Sequence, residues 1–420
     1  MYKDTMPQEL SAFRKEWRMW YAGIDWADTH HDALVIDESG QQVSSLRVSH
    51  TPEGVSHLIS FLSSMVPTKE QMACIIETNH GLLIAALLEA GFAVYPVNPK
   101  TVDRRRGASG AKTDAIDAYL LAKTGRADLA DLRQLKPDSP VVAELKALTR
   151  DQDALIQSQT RLVNQLTACL KAYYPVALQL FTKLHQASTL KFLQTYPTPQ
   201  AAQAASVEQL TTVLKATRHP TPAKTAQHIW HMLQQPQLQA DAITTRTKSR
   251  LMLALVAQLL PLIGQIAAYD KEISTLFLTH ADQEVFRSLP GAGKRLAPRL
   301  LVEWGDDRER YSDASSVQAL AGTAPVAYES GNYSKPHKRY ACIKPLRNAL
   351  QQFAWQSTKQ EAWALAYYQR KRNEGKSHSM ALRALANVWV RILYAMWLNH
   401  TCYDGATFEA AQRAHTKLAA

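Results

Sequence analysis

Four carboxylates, placed where apolar runs end, restrict the folding of this chain more than any other feature. Asp25 closes the run Tyr21-Ala22-Gly23-Ile24, and Glu77 closes Ala73-Cys74-Ile75-Ile76; both runs read as buried strands. Asp114 and Asp117 follow within Lys112-Thr113-Asp114-Ala115-Ile116-Asp117-Ala118. No Gly or Pro interrupts Ala111 to Thr124, so this stretch reads as a helix with both aspartates on one face. Taken singly, each acid could be a helix cap or a solvated charge. Solvated charges, however, have no reason to recur at the ends of buried strands. Oxygen ligands of this kind suit hard divalent cations, Mg²⁺ first and Mn²⁺ second, and two such ions side by side are the usual clamp for cutting a phosphodiester.

Charge is spread unevenly within the net +11. Residues 1–130 carry 13 basic and 16 acidic side chains, residues 131–285 carry 15 and 11, and residues 286–420 carry 20 and 10. A near-neutral segment with clustered acids therefore precedes a strongly basic one, a balance that points to nucleic acid as partner. The 420 residues leave room for two or three domains. Cys74, Cys169, Cys342 and Cys402 are scattered without a CxxC pair, which argues for a reducing cytoplasm and against a disulfide framework or zinc site. The polar start Met1-Tyr2-Lys3-Asp4-Thr5 has no signal-peptide pattern. The most apolar stretch, Leu251 to Ile263, is too short to span a bilayer and contains Pro261. A cytoplasmic protein without membrane spans is expected.

Residues 1–130 alternate in short pieces. Tyr21–Asp25, Asp32–Asp37 and Gln42–Ser49 read as strands, with Glu38-Ser39-Gly40 as a turn. A helix from Pro52 to about Met65 leads to the strand Ala73–Glu77, and a helix from Leu82, stopped by Gly91, leads to the strand Ala93–Val97. A basic loop, Arg104-Arg105-Arg106-Gly107, then precedes the Asp114/Asp117 helix. Three strands, helix, strand, helix, strand, helix is the order of a ribonuclease-H-like α/β sheet, in which acids at strand ends meet those of the last helix.

Residues 131–285 read as almost wholly helical. Leu145, Leu148, Gln152, Leu155, Gln159, Leu162, Leu166, Cys169 and Tyr173 recur in steps of three and four, as do Met252, Val256, Leu259, Ile263, Ile266, Asp270, Ile273 and Phe277. That spacing predicts a protruding coiled-coil arm for self-association; it suits an intramolecular helical bundle equally well. Polar Gln152 and Gln159 would fix register, and Pro261 predicts a kink. Between the arms, Pro197, Pro220 and Pro236 break an Ala/Gln/Thr-rich helical stretch.

Residues 286–420 form the basic, mainly α-helical segment. Leu289-Pro290-Gly291-Ala292-Gly293-Lys294 opens a helix near Arg295. It is no P-loop, because Ser288 stands where that motif needs Gly and Arg295 where it needs Ser or Thr. A Pro-Gly-x-Gly turn before a helix can offer backbone N–H groups to a phosphate in the helix-hairpin-helix manner, or be an ordinary tight turn. Further basic residues, Lys335, Lys338, Arg339, Lys344 and Arg347, follow Tyr328-Glu329-Ser330-Gly331-Asn332. The Met380–Asn399 helix has an apolar face, Leu382, Leu385, Val388, Trp389, Ile392 and Met396, that reads as core and not as a binding surface.

Together these residues resemble a known family. Asn98-Pro99-Lys100, Gly110-Ala111-Lys112-Thr113-Asp114 and Asp117-Ala118 match the Asn-Pro … Lys-Thr-Asp-x-x-Asp-Ala signature of DEDD transposases of the "IS-one-ten" insertion-sequence family, related to the recombinase Piv. Gly23-Ile24-Asp25 and Glu77-Thr78 stand where that family has its first two acids, and Leu289–Gly293, Leu320-Ala321-Gly322 and Ser330-Gly331 match its C-terminal domain. The resemblance implies a RuvC-like domain (1–130), a coiled-coil middle (131–285) and a C-terminal transposase domain (286–420) in a bacterial cytoplasmic enzyme. It implies that Asp25, Glu77, Asp114 and Asp117 hold the metal and that Ser330 is the nucleophile, forming a phosphoserine link to DNA. It further implies a structured bridge RNA as guide, double-stranded element-end and target DNA as substrates, and a homo-oligomer, dimer or tetramer. Arg104, Arg105, Arg106, Lys112, Lys294, Arg295, Lys335, Lys338, Arg339, Lys344 and Arg347 are the expected nucleic-acid contacts.

The family's Gly-rich basic stretch is absent: Arg339-Tyr340-Ala341-Cys342-Ile343-Lys344-Pro345-Leu346-Arg347 keeps only Leu-Arg, and Ser334 is a rival to Ser330. Three other readings compete. A RuvC-like junction resolvase would use the acids to activate water and leave Ser330 unused. A sugar-kinase-like ATPase also begins Gly-Ile-Asp but needs a Gly/Thr phosphate turn where Trp26-Ala27-Asp28 stands. A helix-hairpin-helix architectural protein would bind DNA and tolerate loss of the acids.

Overall fold

The computed structural model describes residues 18–103, 113–331, 333–408 and 410, in two compact units, 1–137 and 138–420. In the first unit, strands β1 (Trp20–Trp26), β2 (His30–Ile36) and β3 (Gln42–Ser49) form an antiparallel meander. Asp37 closes the β2–β3 turn: its Oδ1 accepts from the backbone N–H of Ser39 and Gln41 at 2.9 and 3.0 Å. Helix α1 (Pro52–Met65) leads to β4 (Met72–Ile76), and α2 (Leu82–Glu89) leads to β5 (Ala93–Pro96). Strands β4 and β5 run parallel to β1, giving the sheet order β3-β2-β1-β4-β5. This is the mixed, ribonuclease-H-like sheet expected from the sequence. Helices α3 (Pro99–Asp103) and α4 (Asp114–Asp128) complete the unit. The basic loop Arg104–Arg106 and Lys112 lie outside the described residues.

The two faces of the sheet are covered differently. On one, Ala22, Ile24, Val35, Cys74 and Val94 pack with Leu58 and Leu62 of α1 and Leu87 of α2. On the other lies α4, contributing Ala118, Leu121 and Ala122. Gly23 permits the approach: a Cβ there would stand 1.9 Å from the Ala118 carbonyl oxygen and 2.4 Å from the Ala122 nitrogen. Gly125 on α4 does the same in reverse, its missing Cβ falling 2.3 Å from Ile75 Cδ1. The helix bearing Asp114 and Asp117 thus lies directly on the strand bearing Asp25.

The second unit is almost wholly helical. Two long helices, α5 (Pro140–Tyr173) and α9 (Ala242–Phe277), pack antiparallel within one chain. Gln152 Nε2 donates to Asp270 Oδ1 at 2.8 Å near one end, and Cys169 Sγ to the Lys248 carbonyl at 3.3 Å near the other. Gln152 is buried, and its amide links α5 to α9 at that point. Between them, α6 (Ala187–Thr195), α7 (Val207–Ala216) and α8 (Pro222–Leu233), with two short helices, bury Phe192, Leu210 and Ile229 against Leu166, Leu170 and Val256. These helices end just before Pro197, Pro220 and Pro236, where the missing N–H would break the ladder.

Two expectations need correction here. The apolar Leu251–Ile263 stretch is part of a helix of 36 residues that runs on through Pro261, and by length and composition α9 could cross a membrane. It buries Met252, Val256, Leu259 and Ile266 while leaving Leu253 and Leu260 exposed. Nor is there a seam in packing at residue 286. Val142 and Leu145 of α5 and Ile273 and Phe277 of α9 share one core with Trp304, Phe353, Trp389 and Trp397. That core is built by α10 (Gly293–Trp304), α11 (Ala314–Leu320), α12 (Lys344–Ser357), α13 (Ala362–Asn373) and α14 (His378–Leu398). Between α11 and α12, β6 (Glu329–Ser330) and β7 (Tyr333–Ser334) make a small hairpin.

Candidate active site

Strand register assembles the acids of the first unit. The parallel pairing of Ile24 with Ile76 sets Asp25 and Glu77 side by side where β1 and β4 end. The antiparallel pairing of Asp25 with Asp32 adds a third carboxylate on the same face. Helix α4 supplies the other two from its first turn, begun by Thr113, whose hydroxyl accepts from the Ile116 N–H at 3.3 Å. Asp117 is buried there, and the positive end of the helix dipole offsets part of the charge.

The crowding has a measurable consequence. Burial, then the carboxylates of Asp117, Asp114, Glu77 and Asp32, push the Asp25 carboxyl up to about 6. A cation at the strand ends would reverse that repulsion, so these residues fit a divalent ion.

Sequence reading missed three neighbours of this cluster. Arg47 bridges two acids, Nε to Asp32 Oδ1 and Nη2 to Asp114 Oδ2, both at 2.9 Å. His30 Nε2 lies 3.2 Å from Asp114 Oδ2. Ligand atoms of His30, Asp32 and Asp114 all fall within 4.8 Å of one another. The hydrogen bond from His30, then the charge of Arg47, hold the Asp114 carboxyl below the usual range. Asp25 and Asp114 are thereby driven apart, one towards its acid form and one firmly ionised.

Folding takes up a proton on Asp25 between pH 3.8, its ordinary value, and about 6. Stability therefore falls as pH rises through that window. Asp25→Asn is expected to raise the melting temperature of the metal-free chain at pH 7.5, with the gain shrinking towards pH 5. Thermal unfolding in a chelator checks this; an unchanged or lower melting temperature at pH 7.5 would contradict it.

In the second unit, Ser330 sits exposed in the hairpin, opposite Tyr333 and followed by Gly331 at φ +55°. Its hydroxyl makes no hydrogen bond among the described residues, whereas Ser334 Oγ donates to Glu329 Oε1 at 3.2 Å. The expected nucleic-acid contacts differ in availability. Lys294, Lys335, Lys338 and Lys344 are exposed, Lys338 over the Tyr340 ring at 5.2 Å. Arg339 and Arg347 are half-buried, Arg347 Nη1 lying 3.5 Å from Cys342 Sγ. Arg295 is exposed and also spends Nε and Nη2 on Asp270 at 2.7 and 2.5 Å, tying α10 to α9.

Comparison with known proteins fits this arrangement. A transposase family model matches residues 22–175, and the model described as transposase IS116/IS110/IS902 family matches residues 283–369. The Streptomyces coelicolor mini-circle protein named as candidate transposase for IS117 is 33% identical over 95% of this chain and 97% of its own. The insertion element IS900 42 kDa protein of Mycobacterium paratuberculosis is 29% identical over 93% of this chain and 98% of its own. T. thermophilus RuvC in complex with a Holliday junction substrate aligns at 18% identity over 28% of this chain and 99% of that one, with a TM-score of 0.23. The ribonuclease-H-like assignment rests on strand order and not on that likeness. What defines the class is the pair of transposase family models and the relatives matched over almost the whole chain. The chain belongs to the IS116/IS110/IS902 family of transposases.

Proposed function

We propose that this transposase joins element-end and target DNA by Mg²⁺-dependent strand cleavage and exchange through a phosphoserine link on Ser330, guided by a structured RNA and working as a homo-oligomer. The observation that carries the metal-centred reading is the convergence of four carboxylates, those of Asp117, Asp114, Glu77 and Asp32, on Asp25. Asp25, Glu77, Asp114 and Asp117 are the proposed metal ligands, and Arg47 and His30 keep Asp114 ionised and oriented. Bound by these acids, a divalent ion would neutralise charge that builds on the phosphate in the transition state.

Ser330 Oγ forms a new bond to phosphorus as the bond from phosphorus to one sugar oxygen breaks; the hydroxyl proton is given up and the sugar oxygen leaves as a hydroxyl. A second DNA hydroxyl then takes the phosphorus back, releasing the serine. The number of phosphate ester bonds is unchanged, so exchange needs no ATP. The hairpin and the residues after it support the reading: exposed Tyr328, Tyr333 and Tyr340 flank exposed Lys335 and Lys338, an arrangement suited to stacking and phosphate contact. One observation favours a resolvase-like reading with water as nucleophile: no base contacts the Ser330 hydroxyl among the described residues of its own unit.

Two tests follow. Recombination of purified components is expected to require Mg²⁺ and the noncoding RNA flanking the element; product formed without RNA would remove the guide, and product formed in chelator would remove the metal. Arg47 competes with a dication for Asp114, so Arg47→Gln is expected to tighten Mn²⁺ binding to the DNA-free protein by roughly fivefold. Calorimetric titration checks this, and equal or weaker binding would place Arg47 outside the metal site's electrostatics.

A further inference from the structure

Not all the basic residues near the hairpin are surface charges. Arg339, in the segment after β7, and Arg383, on α14, line a cleft of about 280 Å³ with Lys338, Lys376 and Tyr367. The Nε atoms of both arginines are buried and have no hydrogen-bond partner among the described residues. No carboxylate lines the cleft, and Lys371 on its rim is already paired with Glu374 at 2.8 Å. Burial and then the charge of Arg347 push the Arg383 guanidinium below its ordinary pKa. A half-buried guanidinium with a buried, unpartnered Nε and no counter-charge has lost part of its water, and an anion entering the cleft would replace what was lost. Pro325, Pro336 and Met380 give the same cleft apolar walls.

We propose that this cleft seats a backbone phosphate of a nucleic-acid strand between Arg339 and Arg383. The proposal rests on the reading that the chain acts on nucleic acid. The hairpin of Ser330 is closed at its foot by Val326 and His337, which exchange backbone hydrogen bonds at 2.9 and 2.8 Å, and His337 is itself a wall of the cleft. A strand held here is therefore fixed within a few residues of the serine. Arg383 escaped the sequence reading because it lies on the half-buried edge of a helix that otherwise reads as core.

The test uses the full chain, labelled duplex DNA and labelled duplex RNA, titrated by fluorescence anisotropy across salt concentrations. The double variant Arg339→Gln/Arg383→Gln is expected to lower the slope of log affinity against log salt by about one, the value for one lost phosphate contact. Lys224→Gln, an equal loss of charge on exposed α8, should leave it unchanged. A loss confined to DNA or to RNA, or common to both, assigns the source of the phosphate. Arg339→Gln alone, in the loop, and the charge-keeping Arg383→Lys separate lost contact from lost folding: the first should weaken binding and the second largely retain it. An unchanged slope in a folded double variant overturns the cleft while leaving the transposase reading intact. Failure of the wild type to bind either duplex would overturn both.

Discussion

Asp25→Ala is expected to lower strand cleavage by on the order of 10³-fold or more, the scale of losing electrostatic stabilisation of a transition state. The chain should remain folded. Asp25 is the carboxylate on which burial and four other acids converge, so its removal takes away a proposed metal ligand and relieves repulsion at once. Activity and stability should therefore move in opposite directions, as they do where a fold stores strain at a working site. Cleavage of a labelled duplex, with circular dichroism and thermal melts on the same preparation, separates the two. Cleavage at the wild-type rate would take Asp25 out of the mechanism, and loss of folded signal would make its role structural.

Gly23→Ala is expected to be as damaging without touching a chemical group. Its Cβ would meet the Ala118 carbonyl oxygen at 1.9 Å and the Ala122 nitrogen at 2.4 Å, atoms of helix backbone that cannot rotate aside. Helix α4 must lift from β1, costing about 3 kcal/mol of stability and carrying Asp114 and Asp117 away from Asp25. Gly264→Ala is the contrast: nothing lies within 4 Å of its Cβ, and in a helix interior the change should stabilise by roughly 0.5–1 kcal/mol. Urea unfolding of both variants checks the pair. Equal stabilities would mean that the close approach of α4 to β1 is not what positions the acids.

What could be read in the sequence was whatever local pattern determines. Apolar runs ending in Asp25 and Glu77, and the i, i+3 pair on α4, place the acids without knowledge of pairing. The strand and helix order then leaves few ways to build the sheet. His30, Asp32 and Arg47 were not legible because their proximity depends on register: Asp32 faces Asp25 on one side and Arg47 on the other only once β1, β2 and β3 are aligned. The same holds for Arg295, whose partner Asp270 is 25 residues away, and for Arg383, whose half-buried place in the cleft is a property of packing around α14. The change in charge near residue 286 is real in sequence but falls inside a continuous core, since charge is a property of surfaces and packing follows the apolar face. Helix α9 carries on through Pro261, because a proline on an exposed helix face forfeits one hydrogen bond and leaves the buried face of Val256, Leu259 and Ile266 intact.

The most direct measurement is the trapping of a protein–DNA adduct. Protein, the noncoding RNA flanking the element and labelled element-end DNA are incubated with Mg²⁺ and run on a denaturing gel with and without protease. Covalent serine chemistry predicts a Mg²⁺-dependent shifted band that protease removes and that Ser330→Ala lacks. Cleaved DNA without an adduct, still formed by Ser330→Ala, would contradict it and assign the attack to water.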